Sequence, residues 1–263
     1  MTTSTPSTWE VGGLTPRPGV APRWSMLRAQ LRTELVLLLR NGEQVLLSLV
    51  IPTGLLVVLA SLNVVSFDQP GVTRVDYFTP GVIALAVMST AFTGQAIATG
   101  FERQYGVLKR LGATPLPRST LLFAKTLSVL VVELFQLLLI GAVAYALGWE
   151  PQGTVPGALL VLVLGTAAFS GLGLLLGGTL RGLSCLAVAN LVWLVLFVLG
   201  GVIFSLSEFG GAETVLQFLP TAALSHGLRA SLVDGTVPVG DLLTLAAWGA
   251  ASLGIASRTF RWE

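Results

Sequence analysis

Leu159-Leu160-Val161-Leu162-Val163-Leu164 lies inside an apolar run from Val155 to Leu180 and shows no alternation of apolar and polar residues. A strand of a membrane barrel alternates over segments of about ten residues, so this run reads as helix. About 20 apolar helical residues cross a hydrocarbon core about 30 Å thick, and this stretch exceeds that length. Five others reach it: residues 45–67, 80–99, 121–147, 183–206 and 239–257. The expected fold class is all-α, a polytopic membrane protein with six transmembrane helices. Composition agrees, with 53% hydrophobic and 11% charged residues where soluble domains carry about 25% charged.

The connectors alternate in charge from one side of the membrane to the other. Arg17, Arg23, Arg28, Arg32 and Arg40 precede the first span; Arg103, Lys109, Arg110 and Arg118 lie between the second and third, with Lys125 at the start of the third. Arg181, Arg258 and Arg261 fall on the same side. The opposite side has only Arg74 and Arg229, beside Asp68, Asp76, Glu150, Glu208, Glu213, Asp234 and Asp241. Positive charge collects in cytoplasmic loops, so both termini are expected in the cytoplasm.

Residues 1–22 are rich in Thr, Ser and Pro and lack an apolar core, which predicts a disordered cytoplasmic tail ahead of a membrane domain over 23–263. From Trp24 the apolar residues Leu27, Leu31, Leu35 and Leu38 recur every three or four positions, while Arg28, Arg32 and Arg40 stand off that stripe. A basic amphipathic helix of this kind is expected to lie flat at the headgroups of membrane lipid, as an orientation anchor or as a docking surface. Asn41-Gly42 ends it. The single cysteine, Cys185, sits in an apolar span, so no disulfide framework or metal-ligand spacing is present.

The connector Phe101-Glu102-Arg103-Gln104-Tyr105-Gly106-Val107-Leu108-Lys109-Arg110-Leu111-Gly112-Ala113-Thr114-Pro115-Leu116-Pro117-Arg118 predicts a short helix followed by a turn. Leu108 and Leu111 make a small apolar face, Gly112 is placed to end the helix, and Pro115 and Pro117 keep it from running into the third span. A compact charged protrusion is expected there.

In the order Glu102, Arg103, Gly106, Leu108, Leu111 and Pro115 the chain resembles the ABC-2 type permeases, membrane subunits of bacterial ATP-binding-cassette exporters of the daunorubicin-resistance type. A looser second match is Leu219-Pro220 followed by Arg229 before the last span. The resemblance implies a six-span subunit of the bacterial plasma membrane that moves an amphipathic drug, a lipid or a glycan outward. It implies a homodimer or a heterodimer with a second permease, bound by two ABC ATPase subunits. The connector after span two would be the coupling helix seated on the ATPase, with the N-terminal helix beside it. No Gly-Lys pair occurs, so no phosphate-binding loop is present. ATP and Mg are therefore expected on a partner chain, with no cofactor, metal or catalytic residue in this one, and no nucleic-acid partner.

Residues 213–219 and 223–233 suggest two short outer helices broken at Pro220 and packed against the spans, with His226 and Arg229 near the outer mouth. Glu133 stands as a carboxylate deep in a span, with Gln136 one turn on. An intramembrane carboxylate costs about 2.5–3.5 kcal/mol on insertion scales, so it should face the bundle interior. It serves either packing or a substrate or proton role. An ion-coupled secondary transporter is the alternative function; it would be expected to show internal repeats and several ionisable residues near the midplane.

Overall fold

The computed structural model describes residues 19–62, 71–153, 155–202 and 210–259. The expected tail lies outside the described residues up to position 18, as do the far ends of the first and fifth expected spans. The helices are α1 (Arg23–Arg40), α2 (Gly42–Ser61), α3 (Arg74–Val87), α4 (Gln95–Gln104), α5 (Val107–Gly112), α6 (Arg118–Ala146), α7 (Val155–Thr179), α8 (Gly182–Leu199), α9 (Glu213–Leu216), α10 (Pro220–Leu232) and α11 (Val239–Thr259). A π-helical segment, Met88–Gly94, joins α3 to α4. No strand occurs among the described residues. The segment Arg74–Gln104, α6, α7, α8 and α11 are each long and apolar enough to cross a membrane. Counting α1 and α2, bent by 66°, as one broken span makes six. The chain is a multi-pass membrane protein.

α7 is the centre of the bundle and packs on α4, the π segment, α10, α11 and α6. Its small residues make this possible. A Cβ at Gly173 would stand 2.7 Å from the Phe92 carbonyl oxygen and 2.9 Å from that of Ala91, and one at Gly177 would stand 2.7 Å from Ala96 O. Lipid tails supply no hydrophobic drive between helices, so close backbone contact is what holds these spans together.

The two arginines that break the charge asymmetry have structural work. Arg74 donates from Nη2 to the carbonyls of Leu59 (3.0 Å) and Leu62 (2.9 Å) at the end of α2. Arg229 donates from Nη1 to Gly201 O and from Nη2 to Val202 O, both at 2.7 Å, just past the end of α8. Arg74 thus satisfies carbonyls that the end of α2 leaves orphaned, Arg229 satisfies those of the turn just past α8, and each meets the negative end of a helix dipole. Arg229 also stacks over Tyr77, 4.5 Å from the ring centroid.

Two expectations about helix boundaries change. Pro220 is the first residue of α10, where a missing N–H costs nothing, and α9 ends earlier, at Leu216. Eleven of the thirteen residues of α10 are buried, against α7, α3 and α11. The second span is also longer than its apolar core, because Glu102 and Arg103 belong to the last turn of α4 and not to a protrusion.

The Gly173 contact can be tested. Gly173→Ala should cost about 1–3 kcal/mol, the usual penalty for overpacking. Gly254→Ala in α11, where an added Cβ meets nothing within 4 Å, should not lower the thermal midpoint in detergent.

Candidate functional site

At the end of the bundle that carries α5, three helices meet in one ionic cluster. Lys125 Nζ of α6 lies 3.0 Å from Glu34 Oε2 of α1 and 2.7 Å from Glu102 Oε1 of α4. Gln30 Nε2 donates to the other oxygen of Glu34 at 2.8 Å. Glu34 and Lys125 are buried and Glu102 nearly so. Two carboxylates sharing one ammonium inside a protein are tightly constrained: removing one partner of a buried pair costs about 3–5 kcal/mol.

Glu34 was not singled out by sequence, and its position adds to the reading of α1. The Leu27, Leu31, Leu35 and Leu38 stripe is half-buried on the side that packs on α6, and Gln30 and Glu34 lie buried within it. Trp24, Arg28, Arg32 and Arg40 are exposed on the other faces. A carboxylate on the apolar face of an otherwise basic helix was the available signal. Its partner Lys125, buried and not at a solvated helix end, was the other.

The connector builds outward from this cluster. Arg103 Nη1 donates to Gly178 O of α7 at 2.9 Å, tying the end of α4 to the end of α7. The chain then reverses at Gly106, whose φ of +70° is a left-handed conformation that favours glycine. α5 follows and stops at Gly112. Leu108 is fully buried against Leu121 and Leu122 of α6, Leu174 of α7 and Ala256 of α11, and Leu111 packs beside it. The opposite face of α5 and its flanks expose Tyr105, Val107, Lys109, Arg110 and Pro115. The expected charged protrusion is thus reduced to α5 and its following turn.

A family model for ABC-2 type transporters matches residues 26–233. The chain belongs to the ABC-2 type transporter family. It is therefore a transmembrane permease component of an ABC transporter, a transport protein and not itself a catalyst. No curated protein matches the permease. The six connector residues of the family pattern divide by role: Leu108 and Leu111 seat α5, Gly106 turns the chain, Glu102 and Arg103 lock α4 inward, and Pro115 is exposed in the turn before α6.

The other candidate residues are dispersed. Glu133 is buried in α6 with Oε2 against the Thr166 hydroxyl of α7. Gln136 pairs with Thr90 of the π segment (Nε2 to Oγ1 2.9 Å) and donates to Ser48 O of α2 at 3.0 Å. At the far end His226 is exposed, with Nδ1 2.7 Å from Asp241 Oδ2 of α11. That hydrogen bond holds the imidazolium, so the His226 pKa is raised above its usual 6.5, against a smaller opposing effect of burial. Among the described residues no group of three or more His, Cys, Asp or Glu could hold a metal ion.

Two outcomes follow. Lys125→Met should lower stability by about 3–5 kcal/mol, and adding Glu34→Gln with Glu102→Gln should recover most of it, measured by thermal unfolding in detergent. The raised His226 pKa means that the pair's stabilisation is complete below the unfolded value and is lost as pH rises through the native one. Asp241→Asn should abolish that loss and return the imidazole NMR titration toward 6.5.

Proposed function

We propose that the permease is the membrane subunit of an ATP-driven exporter, energised by separate ATPase chains that bind ATP and Mg and seat on α5. The observation that carries this reading is the construction of α5. Its Leu108 face is buried on α6, α7 and α11, while Lys109 and Arg110, with Tyr105 just before the Gly106 turn, face outward. A helix held on one side by the spans and offering a basic, aromatic face on the other is suited to pass a push inward as a rigid body.

The push has a defined route. α5 is joined to α4 by one left-handed turn, α4 is held to α6 and α1 by the Glu102–Lys125–Glu34 cluster, and Arg103 ties it to α7. Closure of the ATPases would therefore move α1, α4, α6 and α7 together. The basic end, with both termini, lies in the cytoplasm of a bacterial cell in this reading, and two permease copies, identical or related, enclose the path. The cargo is an amphipathic drug, a lipid or a glycan, consistent with spans that present few charges.

The experiment is co-purification and reconstitution with the candidate ATPase. Lys109→Glu with Arg110→Glu should abolish association, at least tenfold in affinity for two desolvated charge contacts, while leaving the permease's own unfolding midpoint unchanged. Lys125→Met combined with Glu34→Gln and Glu102→Gln should keep the complex and its ATP hydrolysis yet lose substrate-stimulated turnover. Transport that persists without any ATPase and follows an ion gradient would sink the proposal and favour secondary transport.

A further inference from the structure

Three polar stripes converge on one seam inside the permease. On α4, Gln95, Thr99 and Glu102 recur at helical spacing, and Glu102 points at Lys125 of α6. On α6 the matching stripe is Lys125, Ser128, Glu133 and Gln136, all buried. On α7 it is Thr166 and Ser170, continued by Gly173 and Gly177, with Thr99 packed at Gly177 and Glu133 at Thr166. Spacings of three and four residues keep the α4 and α7 sets each on one helix face.

These side chains hold polar atoms that no described group satisfies. They are both amide atoms of Gln95, the hydroxyls of Thr99 and Ser170, Oε1 of Glu133 and Oε2 of Glu102. Thr99 and Ser170 are fully buried, Glu133 is 2% exposed and Gln95 6%. Some buried hydroxyls of the spans turn back to the carbonyl four residues earlier, as Thr79 does to Val75 O at 2.6 Å and, within the seam, Thr166 to Leu162 O at 2.8 Å. Thr99 and Ser170 do not. Buried donors and acceptors gathered in this way are the setting in which proteins keep internal water, each molecule making about three hydrogen bonds. At the inner end Thr166 has one hydroxyl proton within reach of both Glu133 Oε2 and Leu162 O, so it cannot donate to both at once.

We infer that this seam holds a chain of water molecules running from Glu133 past Ser170, Gln95 and Thr99 to the Glu102–Lys125 pair, making Glu133 a proton-exchanging site served from the α5 end. The titratable groups along the route are Glu102 on α4, Lys125 on α6 and Glu34 on α1; the α7 stripe carries none. Exchange needs no other reactant: the carboxyl O–H gives its proton to the adjacent water and takes another from it. This site lies within a single permease chain and is independent of the ATPase reading.

The test is infrared spectroscopy of the full chain in lipid nanodiscs on transfer to heavy water. A protonated-carboxyl C=O band should be present, should vanish in Glu133→Gln, and should take up deuterium far faster than the core amides. Gln95→Leu with Thr99→Val should slow that uptake by roughly tenfold or more, and the nearly isosteric Thr99→Val alone should slow it if the double variant does not fold. Absence of a Glu133-dependent band, wild-type uptake as slow as the core amides, or unchanged uptake in the folded variant would each overturn the inference.

Discussion

A charge surrounded by hydrocarbon must find a partner inside the protein, and the arrangement of this permease follows from where its few polar groups find theirs. Lys125 cannot stay ionised within α6 unless carboxylates come to it. Glu34 arrives on α1 and Glu102 on α4, and their arrival fixes both helices against α6. Without that junction α1 would have only its leucine stripe to hold it, and the end of α4 would be tied to α7 but not to α6.

The same rule explains features that composition leaves odd. Arg74 and Arg229 stand on the acidic side of the chain because two helix ends need cations, not because orientation needs them. Gln136 fixes α6 to the π segment through Thr90 and to α2 through the Ser48 carbonyl. α5 sits at the end of this scaffold, seated by Leu108 on three spans, so movement of its exposed face is delivered to the bundle and not absorbed in a loop.

Glu133 and the Glu102–Arg103 pair illustrate how far residue patterns carry. A carboxylate amid leucines and valines announces its own burial, and Glu133 is buried as its surroundings require. Glu102-Arg103 announces a charged loop when read locally, yet both side chains turn inward, because their partners lie 23 and 75 residues further along the chain. Glu34 was passed over for the same reason: its role depends on Lys125, 91 residues away.

The amino-acid sequence by itself determined that the chain crosses a membrane as helices, where most of those helices begin and end, and that α5 would be short and stopped at Gly112. These are local matters of apolar length, charge placement and turn residues, each decided within one or two helical turns. Tertiary structure alone decided which polar groups meet. It carried Glu34 and Glu102 to Lys125, turned the α1 stripe onto α6, set Arg229 at the end of α8 and gathered Gln95, Thr99, Glu133 and Ser170 along one seam. Pairings of that kind depend on how helices rotate and approach one another, and backbone contacts such as that of Gly173 with the π segment set those rotations.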